Sequence, residues 1–117
     1  MNIPKMPLRS IPFLTPQERA QVMITSKHRL QGKPFQNTGG LGSLVLPRPA
    51  KGQEYREFTI GQAKPPAGGF PPGQGPAGKH RLIILYQGDD IKKRYISVEH
   101  YQATVPGSGR IAWYEII

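Results

Sequence analysis

The stretch RLIILYQGDDIKKRYISV, residues 81–98, constrains this chain more than any other. Its first part, Arg81 to Gln87, is a dense run of aliphatic and aromatic residues. GDD then forms a turn, and Lys92 to Val98 returns to β-formers. The pattern predicts an antiparallel hairpin, so the rest of the chain must be fitted to a sheet.

Upstream, EYREFTI (54–60) alternates, with Tyr55, Glu57 and Thr59 on one face and Arg56, Phe58 and Ile60 on the other, as a half-buried strand does. Downstream, the turn PGSG (106–109) leads into RIAWYEII, a last strand rich in β-formers. One helix is expected over 16–26: Thr15 can cap it, Pro16 suits its first turn, Glu18 stands at capping-box distance, and QERAQVMI supplies helix formers. The basic cluster Lys27-His28-Arg29 at its end suits the helix dipole.

The remaining segments read as connections. Residues 1–14 hold three prolines and no helical period, and predict an irregular lead segment. Residues 32–52 predict loop, broken at most by a short strand near 44–46. Residues 61–79, crowded with proline and glycine, predict a connector between strands. The expected architecture is a single α+β domain over 15–117, its N-terminal helix packed on a four- to five-stranded antiparallel sheet.

A chain of 117 residues is one domain's worth. Sixteen Lys and Arg against seven Asp and Glu give a formal charge of +9, which points to polyanionic partners. With no cysteine, and with His28, His80 and His100 scattered, neither a metal site nor a cofactor is expected. No apolar run approaches the ~20 residues that cross a bilayer, and the N-terminus lacks the apolar core of a signal peptide. The expectation is a soluble monomer with no export signal of its own and no membrane partner.

Glu57, Arg81 and His100 stand on or just after three consecutive predicted strands. With neighbouring strands about 4.8 Å apart, three such groups on one face can surround one phosphate. The chemistry that uses this trio is RNA transesterification. A carboxylate takes the proton of the ribose 2′-hydroxyl, a guanidinium stabilises charge on the pentavalent phosphorus, and an imidazolium protonates the departing 5′-oxygen. The internal nucleophile already lies beside the phosphorus, so no metal is required and DNA would be spared.

The wording of these segments also carries a resemblance. LPRPAKGQEYREFTI, HRLIILY and EHYQATV resemble the small microbial ribonucleases of the barnase and guanyl-specific Streptomyces type. The matching residues are Leu46-Pro47, Gly52, Tyr55, Glu57, Arg81 with Leu82 and Ile83, and Glu99-His100-Tyr101. PFQNTGG (34–40) resembles the start of that family's guanine-binding loop. Coverage runs from about Thr15 to the end.

The resemblance implies Glu57 as general base, His100 as general acid and Arg81 as a transition-state binder. It implies substrate contacts at Tyr101, Gln36, Asn37, Thr38 and Tyr55. It further implies a metal-independent endoribonuclease acting on single-stranded RNA, guanyl-preferring or relaxed in base choice. Such an enzyme would be a secreted or injected bacterial toxin domain, held in check by an acidic inhibitor or immunity protein.

The chain departs from the family at three places. Ala77 stands where a second arginine is expected, with Lys79, Arg56 and Lys64 as candidate replacements. No acid follows Asn37 in the base loop. The 61–79 segment and the C-terminal segment are both longer than usual.

Blander readings stand beside these. Arg81 can be a gatekeeper charge heading an aliphatic run, Glu57 a surface carboxylate and His100 a strand-end polar residue. Lys92, Lys93 and Arg94 read as a solvated basic edge, His28 and His80 as structural or exposed, and Trp113, Phe58, Ile84 and Ile111 as core. The competing function class is a non-catalytic RNA- or ribosome-binding domain that grips phosphates through its charge.

Overall fold

A computed structural model of the chain describes residues 3–25, 32–35, 37, 46–60, 80–98, 104–105, 107 and 111–117. Six strands and one α-helix are found there: β1 (Lys5–Met6), α1 (Pro16–Thr25), β2 (Lys33–Pro34), β3 (Gln53–Ile60), β4 (His80–Gln87), β5 (Asp90–Ser97) and β6 (Trp113–Ile116). They form one sheet in the order β1-β6-β5-β4-β3-β2. β1 runs parallel to β6, and every other pair is antiparallel.

The predicted hairpin is the centre of the sheet. Gln87 pairs with Asp90, leaving Gly88 and Asp89 as a two-residue turn. Gly88 has φ +60°, the positive value such turns favour at their first central position. Leu82, Ile83, Ile84, Leu85 and Tyr86 are all buried. An unbroken apolar run of this kind can be buried only when both faces of the strand are covered.

The helix covers one face. Val22, together with Ile11 and Leu14 from the preceding segment, packs on Ile60, Leu82, Ile84, Tyr86, Ile96, Tyr114 and Ile116. Its start is a capping box: the Thr15 amide donates to Glu18 Oε1 at 2.8 Å, and the Glu18 amide donates to Thr15 Oγ1 at 3.1 Å. On the opposite face Tyr55, Ile83, Leu85, Tyr95 and Trp113 form a second apolar cluster under Leu46, with Ile3 and Phe35 at its edge.

The fold class is α+β, as expected, but the sheet has six strands and mixed direction rather than four or five antiparallel ones. The difference lies in two edge strands of two residues each, too short to carry any periodicity. β1 lies inside the lead segment expected to be irregular, where a single 3-10 turn, Leu8–Ser10, and the buried Ile11 and Leu14 follow it. Within 32–52 the strand falls at Lys33–Pro34. Most of the 44–46 position expected for it, the basic cluster 27–29 and the 61–79 segment lie outside the described residues.

Candidate active site

Strand alternation and ladder register decide which side chains share a face. Opposite one another across the sheet stand Lys33 and Glu57, then Glu57 and Ile83, while Thr59, Arg81 and Ser97 form a single row over three strands. All lie on the face away from the helix. That face is divided. Glu57, Thr59, Arg81 and Ser97 make a polar corner where β3 ends and β4 begins, Trp113 continues the Thr59–Arg81–Ser97 row onto β6, and Tyr55, Ile83, Leu85 and Tyr95 make the adjoining surface apolar.

Glu57 and Arg81 are diagonal neighbours on adjacent strands, a relation that puts Cβ atoms within about 7–8 Å and long side chains in reach. Both are half-buried. Arg81 donates from Nη1 to its neighbour's carbonyl, His80 O, at 2.9 Å. Ser97, 0% exposed, flanks Arg81 on β5, and Thr59 flanks it on β3. β3 ends, β4 begins and β5 ends at this polar end.

His100 and Tyr101 lie outside the described residues, as do Gln36 and Thr38. His100 is three positions along the chain from Ser97, the ladder partner of Arg81.

Tyr55 shares the face of Glu57 but is 5% exposed, and its hydroxyl donates to Pro47 O at 2.6 Å. Phe35 meets its ring edge-on at a centroid distance of 6.2 Å, and Tyr95 at 6.4 Å. Its side chain therefore serves packing rather than substrate contact. Asn37 is likewise committed through its side chain. Its Nδ2 donates to Leu46 O and the Leu46 amide donates to its Oδ1, both at 2.7 Å, so Asn37 clamps itself to the Leu46 backbone.

Arg56 does not replace the second arginine. It lies on the helix-side face, paired with Glu54 Oε2 at 2.9 Å and donating to Gly32 O at 3.3 Å. Lys79 and Lys64 are outside the described residues. The alternation of 54–60 already separates Arg56 from Glu57, so this signal was present in the sequence. Two polar residues were missed: Ser97, and Lys33 opposite Glu57.

Electrostatics at the apolar end are set by burial. Burial pushes the Tyr55 and Tyr95 hydroxyls above the ordinary phenol range. The charge of Glu115 adds to both shifts, and Tyr95 also hydrogen-bonds to Glu115. These groups are neutral floor rather than acid–base chemistry. Among the described residues no three His, Asp or Glu side chains cluster as metal ligands do, and no helix is long and apolar enough to cross a membrane.

Comparison of the chain with protein-family models, with curated proteins and with solved structures returns no match.

Proposed function

We propose that this chain is a metal-independent endoribonuclease of the barnase type. The observation that carries the reading is the diagonal pair Glu57 and Arg81 on the polar end of the sheet's outer face, in a chain of formal charge +9.

In this reading Glu57 accepts the 2′-hydroxyl proton while the 2′-oxygen attacks phosphorus. Arg81 stabilises the negative charge gathered on the equatorial oxygens. The bond from phosphorus to the 5′-oxygen breaks as His100 gives that oxygen a proton. The products are a 2′,3′-cyclic phosphate and a free 5′-hydroxyl. The resemblance adds delivery as a toxin domain and an acidic inhibitor complementary to the basic face.

The test is incubation of the protein with single-stranded RNA in EDTA, beside Glu57→Gln and His100→Ala. Cleavage by the parent leaving cyclic-phosphate ends, with each variant slower by about 10²- to 10⁴-fold at unchanged melting temperature, is the expected result. RNA that stays intact yet is retarded on a gel sinks the enzyme and favours the phosphate-gripping binder.

A further inference from the structure

We propose that Lys33, on the edge strand β2, is a phosphate-binding residue of this same site. The identity of the ligand as RNA rests on the ribonuclease reading; the placement of the lysine does not.

Lys33 and Glu57 are direct ladder partners in the antiparallel β2–β3 pair. Such partners project to one face with Cβ atoms about 4.5–5.5 Å apart. Two residues further along each strand the same alternation repeats with larger side chains. The Phe35 amide donates to Tyr55 O at 3.1 Å, and the two rings meet edge-on. Since Tyr55 belongs to the outer face, Phe35 and Lys33 belong to it as well.

A two-residue edge strand is a weak support by itself, but this one is pinned. Gly32 has φ +87°, and a Cβ there would stand 2.7 Å from Phe58 Cζ and 2.9 Å from Glu57 O. The backbone is thus pressed onto β3 at the Glu57–Phe58 step, where only glycine fits. The Arg56 guanidinium holds Gly32 O from the other side.

Charge then argues for the ligand. Glu57 and Arg81 sum to zero, so this pair by itself adds no local net charge toward a phosphodiester. With Lys33 the three formal charges are two positive and one negative, a net +1 facing the −1 of a phosphate. The carboxylate sits on the middle strand with a cation on each side, so the proton acceptor can remain near a phosphate without repelling it.

Three other described cations are placed elsewhere. Arg56 lies on the opposite face, Lys93 stands opposite Leu85 at the apolar end, and Lys5 pairs with Glu115. Lys33 is exposed, and its ammonium on a flexible stem suits a phosphate oxygen whose position shifts during reaction.

The experiment measures binding of a fluorescent 2′-fluoro oligonucleotide, which cannot be cleaved by this route, across a salt series for the parent, Lys33→Gln and Lys33→Arg. We expect Lys33→Gln to bind about tenfold more weakly, with its log-affinity slope against log salt reduced by about 0.7, the amount one phosphate contact contributes on a single strand. Lys33→Arg should keep the parent's values.

In cleavage assays Lys33→Gln should lower kcat/KM by at least the tenfold lost in binding, and Lys33→Arg should restore it. Parent-like binding by Lys33→Gln, or equal loss in the arginine variant, overturns the proposal. A parent that binds without cleaving defeats the ribonuclease reading alone, since affinity still judges Lys33. A parent that does not bind the oligonucleotide defeats the proposal too.

Discussion

His80 and Arg81 are consecutive in β4, and the pleat sends them to opposite faces of the sheet. His80 is 7% exposed, with Nδ1 3.0 Å from Val98 O and Nε2 3.1 Å from Glu18 Oε2. The other oxygen of Glu18 accepts the Thr15 amide. One histidine therefore ties β4 to the end of β5 and to the capping box of α1. Arg81 stands half-buried in a row between Thr59 and Ser97, beside Glu57. Two polar side chains of similar chemical reach thus have different duties because one face is closed by a helix and the other ends in polar groups.

Exchanging the consequences of the two residues would break that contrast. Arg81→Ala should slow RNA cleavage by about 10²- to 10³-fold, the usual effect of removing one group that stabilises a transition-state charge. Its urea midpoint should move less than that of His80→Ala. His80→Ala should do the reverse, lowering stability by about 2–3 kcal/mol. It leaves the Glu18 carboxylate and the Val98 carbonyl facing a gap, but keeps cleavage per folded molecule near the parent's. An Arg81→Ala protein as unstable as the His80 variant, and no slower per folded molecule than the parent, would make both residues structural.

The sequence announces some of this and conceals the rest for physical reasons. The hairpin and α1 are visible because their signals are local: the run Leu82 to Tyr86 with its turn, and the Thr15–Glu18 pair that does close as a capping box. β1 and β2 are invisible because two residues carry no period. Their places come from distant partners, Glu115 and Ile116 for one, Arg56 and Glu57 for the other. In the site, alternation puts Tyr55 on the face of Glu57 but is silent on depth. Depth is set by Phe35, Leu46 and Trp113, which arrive from elsewhere in the chain. His80 shows the same limit, since its two partners come from residues 62 positions upstream and 18 downstream.

Asn37 sharpens the contrast within the outer face. Asn37→Ala removes both hydrogen bonds to the Leu46 backbone and should lower stability by about 1–2 kcal/mol, read by urea denaturation. If the clamp also shapes a base-binding segment, the variant's cleavage map on mixed-sequence RNA should lose base preference. Its rate at any one site should stay within a few-fold of the parent's. An unchanged map with lowered stability would confine Asn37 to the scaffold.

At neutral pH the gentlest change compares two phenols, Tyr95 on the outer face and Tyr86 under the helix. Both are raised above the ordinary phenol value by burial. For Tyr95 the neighbouring Tyr55 and Glu115 push further in the same direction, whereas for Tyr86 Arg56 pulls against the shift. The unfolded chain ionises its tyrosines near pH ~10, while the folded chain keeps these protons to higher pH. In that window the folded state binds more protons, so stability is full below pH ~10 and is lost as pH climbs through the raised values. Tyr95→Phe removes the hydrogen bond to Glu115 and should cost about 1 kcal/mol or less at pH 7. Above pH ~10 it should flatten the decline, by at most about 1.4 kcal/mol per pH unit. Tyr86→Phe should flatten it less, because an arginine opposes its shift. Urea midpoints of the parent and both variants from pH 9 to 11 make the measurement. A Tyr95→Phe curve parallel to the parent's would mean that water reaches the outer face at Tyr95, and that the apolar part of this face is less closed than the helix side.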